Sequence, residues 1–281
     1  MDKYAFLAMG FLRYRLRSQI ALEKKWFRHN LPIKEAMAFC ALHYYSEALG
    51  KQVAAHVLLP EGKGKGPFPV LYLLHGLSDD HTIWTRRTSI ERYVEKLPLI
   101  VVMPDGGRGF YCDAIEGFAY QTAIARDLVN YIDTVFPTIA QRKGRCIGGL
   151  SMGGYGAIKL ALQYPNLFCS AHSHSGALNF GHGLRIDERE MQRILGPAME
   201  GGGPNDLYLL AAKARRTKWP EISIDCGTDD FLIENSRGFH AHLKKLRLPH
   251  EYREFPGSHE WSYWDLHIQA ALVFHAKNLG L

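Results

Sequence analysis

The chain predicts an α/β fold: a mainly parallel central sheet with helices on both faces. Three observations predict it. Apolar runs of strand length recur along the 281 residues and alternate with stretches of helical character. Those runs are continuous rather than alternating, the pattern of strands buried on both faces of a parallel sheet. One of them leads into Gly149-Leu150-Ser151-Met152-Gly153, where a glycine-flanked serine separates a strand from a helix. With 47% hydrophobic residues the chain can bury a large core, and one domain of this size is ordinary.

In chain order, strands are expected at 53–59 and 68–74, joined through the flexible turn Gly62-Lys63-Gly64-Lys65-Gly66-Pro67. A helix at 89–96 precedes a strand at 99–103, which ends in Met103-Pro104-Asp105, and a helix at 122–135 follows. The strand at 145–147 enters the serine turn, and 156–163 continues as a helix with small residues in its first turn. After a strand at 169–174 the strand–helix beat breaks. Residues 176–218 hold Gly201-Gly202-Gly203-Pro204 and several short helical pieces, and read as a small cap insertion over the active site. The beat resumes with a strand at 222–226, a helix near 234–246 and a strand at 252–255.

A strand, a sharp turn carrying serine, then a helix is the context of a nucleophile elbow. A side chain at Gly149 or Gly153 would collide with the neighbouring strand or helix, and the helix that follows aims its first amides at a developing oxyanion. A nucleophilic serine also needs a base and an orienting acid, which follow in the order Ser, Asp/Glu, His in α/β-hydrolases. The expected strand at 222–226 runs into Thr228-Asp229-Asp230-Phe231, where two aspartates compete for the acid's role; Asp230 is the first choice and Asp229 the second. His259, in Pro256-Gly257-Ser258-His259-Glu260-Trp261 after the last expected strand, stands where the base belongs. For the oxyanion hole, one amide comes from the residue after the nucleophile, Met152, and the other from the loop His75-Gly76-Leu77-Ser78, with Leu77 the expected donor.

These pieces resemble the esterase D branch of the α/β-hydrolases, which includes S-formylglutathione hydrolases, feruloyl esterases, bacterial tributyrin-type esterases and mycolyltransferases. The matching residues are His75-Gly76-Leu77-Ser78 with Trp84, Met103-Pro104-Asp105, Gly109-Phe110-Tyr111-Cys112-Asp113, the serine motif through Gly156, Cys226-Gly227-Thr228-Asp229-Asp230-Phe231-Leu232 and His259-Glu260-Trp261. The resemblance runs from about Met37 to the C-terminus and looks nearest to the tributyrin-type enzymes, through Tyr155 and the acid turn. It implies that the acid is Asp230, the last residue of a G-x-x-D turn. It also implies a serine carboxylesterase for short-chain acyl or aromatic, feruloyl-like esters, working through an acyl-enzyme without metal or cofactor. An S-formylglutathione thioester hydrolase and an acyltransferase are the alternatives. Trp84, Tyr111 and Trp261 are expected as substrate-binding walls because they lie near the motif loops.

Other features carry less. Five scattered cysteines without C-x-x-C spacing fit free thiols in a reducing, cytoplasmic setting. His172 and His174, two apart on a strand, share a face and could ligate a metal, but no further ligand cluster supports a site. Most of the +6 net charge sits in the first 36 residues, with eight basic and three acidic side chains, so the remainder is near neutral and no nucleic-acid partner is expected. That basic extension has three readings: a start placed too early, with true initiation at Met37; an amphipathic helix touching a membrane surface or partner; or a segment packed on the domain. Its apolar run, 4–12, is too short to span a membrane. The expected partner is a small-molecule ester, and homo-oligomerisation is left open.

Overall fold

Among the described residues there are eight strands: β1 (Ala36–Ser46), β2 (Lys51–Glu61), β3 (Val70–Leu74), β4 (Ile100–Pro104), β5 (Arg145–Leu150), β6 (Ser170–His174), β7 (Glu221–Gly227) and β8 (Glu251–Phe255). They form one sheet in the order β1-β2-β4-β3-β5-β6-β7-β8. β2 pairs antiparallel with β4, and every pairing from β4 through β3, β5, β6 and β7 to β8 is parallel. The computed structural model describes residues 36–182 and 187–281. The expected basic extension therefore falls, but for Ala36, outside the described residues.

Continuous apolar strands have a direct consequence here, because alternate residues feed opposite faces. Val70, Tyr72 and Leu74 of β3 enter one core while Leu71 and Leu73 enter the other; Ile100 and Val102 of β4 divide from Val101 and Met103 in the same way. The first core is covered by the Met152–Gln163 and Ile233–Lys245 helices and by the Tyr120–Val135 stretch, the second by Ile83–Arg87, Ile90–Val94 and Trp261–Leu279. This is the doubly covered α/β-hydrolase architecture, and all five cysteines are free thiols.

Several elements differ from expectation, among them β1 and the short helix Ile83–Arg87, which have no counterpart among the elements expected from the sequence. The 19-residue helix Trp261–Leu279 was not anticipated past His259; it is apolar on more than one side, with Ile268 and Leu272 buried but Leu266 and Val273 exposed, so its helical period is faint. The expected helix at 122–135 contains a π-helical turn, Ala123–Leu128, within which Asp127 accepts hydrogen bonds from Ser46 Oγ (2.7 Å) and the Ala48 amide (2.8 Å) at the β1–β2 connection. In the expected cap, 176–218, the helices Glu188–Leu195 and Leu207–Lys213 carry Asp187 and Asp206 as N-caps. Among the described residues of that segment, Ala177 is the one that lines the cavity beside Ser151. No helix among the described residues is long and apolar enough to cross a membrane.

Candidate active site

Ser151 stands between β5 and the Met152–Gln163 helix with φ 53° and ψ −118°, a left-handed backbone that L residues adopt only under constraint. The constraint is visible. The Ser151 amide donates to the His174 carbonyl at 2.9 Å, and the Ser151 carbonyl accepts from the amides of Tyr155 and Ala177, both at 3.1 Å. A Cβ on Gly149 would sit 2.6 Å from the Gly153 carbonyl, and one on Gly153 would sit 2.6 Å from the carbonyl oxygens of Leu74 and His75. The two glycines let the turn close between β3 and its own helix.

The three residues expected to act together are together. His259 Nε2 lies 3.1 Å from Ser151 Oγ, and His259 Nδ1 lies 3.0 and 2.9 Å from the two Asp230 carboxylate oxygens. The tight turn after β7 makes the choice between the two aspartates: its backbone is pinned by Thr228 to the Phe255 carbonyl and by Asp229 to the Gly257 carbonyl. That leaves Asp229 exposed and Asp230 2% exposed beneath His259. Burial alone would raise the Asp230 pKa. Hydrogen bonding from His259, from the Ser175 hydroxyl and from the Leu232 amide outweighs it and holds the carboxyl below its ordinary range.

The two expected oxyanion donors, Leu77 and Met152, both line the cavity at Ser151. Met152 opens its helix, so its amide has no carbonyl one turn back to bond. The Leu77 loop is braced by His75, a role not foreseen from the sequence. The Gly106 amide donates to His75 Nε2 at 2.8 Å, so the proton sits on Nδ1, which donates to the Gly76 carbonyl at 2.7 Å.

The cavity measures about 640 Å³. Of the three expected walls, Trp261 lines it. Trp84 and Tyr111 do not, and both expectations are corrected. Trp84 is 1% exposed, donates its indole N–H to the Leu74 carbonyl at 3.1 Å and packs edge-on behind Trp261. Tyr111 is fully buried, with its hydroxyl on the His75 carbonyl at 3.0 Å. The walls missed from the sequence are Phe110, Phe231 and Trp264. The rings of Phe231 and Trp264 pack on His259, with centroids 4.4 and 4.9 Å away. The first two are immediate neighbours of residues already singled out, which was the available signal.

A second histidine–aspartate cluster lies deeper in the sheet. His172 Nε2 and His174 Nδ1 each approach Asp225 at 2.9 Å and each other at 3.2 Å, and Tyr263 donates to Asp225 at 3.0 Å. Asp225 stands opposite His174 in the β6–β7 register, so the third ligand that the sequence did not reveal comes from the next strand. This donor set can hold a metal ion. The chemistry of its outer atoms fits protons better. His172 Nδ1 and His174 Nε2 are buried with no partner, and with a metal on the inner nitrogens each would carry a buried N–H lacking an acceptor. With the protons inside, Asp225 accepts three hydrogen bonds and the outer nitrogens are lone pairs, which interiors tolerate better than orphaned donors. Burial of the Asp225 carboxyl is outweighed by His174 and His172, and its pKa falls well below the usual range; burial and the neighbouring His174 push His172 down to about 4.

Comparison with known proteins gives the family. Residues 46–275 match the family model described as "Putative esterase". Over 263 residues the chain is 29% identical to the acetyl esterase of Caldicellulosiruptor saccharolyticus, covering 86% of this chain and 99% of that one. It is 32% identical to the structure of FphF, a fluorophosphonate-binding serine hydrolase of Staphylococcus aureus, with a TM-score of 0.79 over 85% of this chain and 98% of that one. The S-formylglutathione hydrolase FrmB of S. aureus is also 32% identical, with a TM-score of 0.77 and the same coverage. The chain thus belongs to this esterase family and is a carboxylic ester hydrolase of α/β-hydrolase fold.

Proposed function

We propose that the protein is a serine carboxylesterase acting on short-chain acyl or aromatic esters, with Ser151 as nucleophile, His259 as general base and Asp230 as orienting acid. The observation that carries this reading is the unbroken chain of contacts from Ser151 Oγ through the His259 ring to Asp230 at the floor of an open cavity. His259 takes the proton from Oγ as Oγ attacks the ester carbonyl, and Asp230 holds the proton on Nδ1 so that Nε2 is free to accept it. The negative charge on the tetrahedral intermediate faces the amides of Leu77 and Met152, each such donor contributing about 3–4 kcal/mol. His259 then protonates the departing alcohol, and water repeats the sequence on the acyl-enzyme. No step calls for a metal or cofactor.

The thioester alternative is less well supported. The carboxylates among the described lining residues are Asp79 and Glu260, and a carboxylate-lined cavity disfavours the anionic glutathione moiety. Residues 37–281 are the catalytic domain in this reading, and the five free thiols suit a reducing, cytoplasmic setting.

The test is a hydrolysis panel on the protein and its Ser151→Ala variant: p-nitrophenyl acetate, butyrate and octanoate, methyl ferulate and S-formylglutathione. Ester hydrolysis that vanishes with Ser151 is expected, with S-formylglutathione the poorer substrate. Hydrolysis that survives the substitution overturns the reading. Product partition toward added alcohol acceptors favours the acyltransferase.

A further inference from the structure

Two consecutive bulky residues in the loop after β4 adopt the left-handed backbone: Phe110 at φ 49° and Tyr111 at φ 52°. Each such residue costs on the order of 1–3 kcal/mol and persists only where its surroundings enforce it. They do so here. Tyr111 is clamped by its bond to the His75 carbonyl and by the bare faces of Gly106 and Gly156, where any Cβ would overlap its ring. Cys112 closes the turn, with its amide on the Gly109 carbonyl at 2.9 Å and its thiol on the Phe110 carbonyl at 3.3 Å. The left-handed pair turns Tyr111 inward and delivers the Phe110 ring to the cavity wall.

That ring cannot yield. Phe110 is 2% exposed and lies flat on Phe180, with centroids 3.8 Å apart and planes within 4°. Tyr155 packs edge-on against both rings and is fixed by its hydroxyl on the Asn205 carbonyl at 2.7 Å. Phe110 therefore stands beside the helix whose first amide faces the oxyanion. Phe231 and Trp264 stand on the other side, against His259. Since His259 must protonate the leaving oxygen, the alcohol lies on its side of Ser151 and the acyl chain on the side of Phe110.

We propose that Phe110, backed by Phe180, is the residue that limits acyl-chain length, making the enzyme selective for short acyl groups. This rests on Ser151 being the nucleophile. The test is the ratio of kcat/KM for p-nitrophenyl octanoate to that for acetate. Phe110→Ala should raise that ratio by about tenfold or more, the scale on which apolar pockets discriminate chain length. Phe110→Leu, which keeps most of the packing, should raise it less, and Phe180→Ala should raise it through the lost backing alone. Phe231→Ala should shift preference among alcohols while leaving the acyl ratio unchanged. Melting curves identify the folded variants. An unchanged ratio in folded Phe110→Ala and Phe110→Leu overturns the assignment. Running Ser151→Ala beside them separates the claims: activity that survives it overturns the reading of the site, whereas Ser151-dependent activity with an unchanged ratio overturns only the role of Phe110.

Discussion

Asp225 and Asp230 lie five residues apart, one within β7 and the other in the turn that follows it, and each is held by histidine. Asp225 meets His172, His174 and Tyr263 in a sealed interior; Asp230 meets a single ring, His259, whose far nitrogen faces Ser151 and whose side chain is 17% exposed at the cavity. The charge chemistry of the two sets is similar, and both carboxyls are held below their ordinary pKa. The difference is access and an acceptor for the transferred proton. In the proposed reading, a carboxylate–imidazole pair becomes catalytic when its outer nitrogen reaches a nucleophile in a strained turn that borders a cavity. The same pair with its outer nitrogens buried against nothing ties strands and a helix together.

Substitutions that remove each acid should separate these roles. Asp230→Asn should lower turnover by about four orders of magnitude, as an amide leaves the imidazole in the wrong tautomer, while the melting temperature changes little. Asp225→Asn should do the reverse: about 1–3 kcal/mol of stability lost in urea unfolding, as buried donors lose a charged acceptor, with turnover of the folded fraction close to the parent. Equal effects on both assays for both variants would dissolve the distinction.

The pH dependence of stability sharpens it. His172 is held neutral with its pKa at about 4, against about 6.5 in the unfolded chain. Between those values the unfolded state binds the extra proton, so stability should fall as pH drops from 6.5 towards 4, by at most about 1.4 kcal/mol per pH unit from this group. The Asp225 pKa is shifted in the same direction, downward, and has the same direction of effect, losing its contribution only as pH falls below the unfolded carboxylate range near pH 3.9. Thermal melts of the protein and His172→Gln check this: the variant should flatten the slope between pH 4 and 6.5. The smallest effect expected is that of Asp229→Asn, whose exposed side chain serves the turn; steady-state kinetics should show far less loss than for Asp230→Asn.

Much of this was legible in the chain because it is local. Seven strands announce themselves as apolar runs, and Gly149-Leu150-Ser151-Met152-Gly153, the turn to Asp230 and the loop of His259 fall in an order that the fold requires. What was missed depends on contacts far apart in sequence or on backbone that composition does not encode. Asp225 completes a cluster with His174 across the β6–β7 register. Trp84 sits one layer behind the wall it was expected to form, because its N–H finds Leu74. The pocket loop was identified, but with the left-handed pair at 110 and 111 it is the Phe110 ring, not Tyr111, that lines the cavity. The last helix escaped because its apolar residues are not confined to one face.

The most direct test of the central claim is covalent labelling with a fluorophosphonate, located by peptide mass spectrometry. The account predicts one adduct, on Ser151, absent in Ser151→Ala and strongly slowed in His259→Ala. Folded protein that takes no label, or a label carried instead by Ser170 or Ser173 beside the buried histidines, would contradict it.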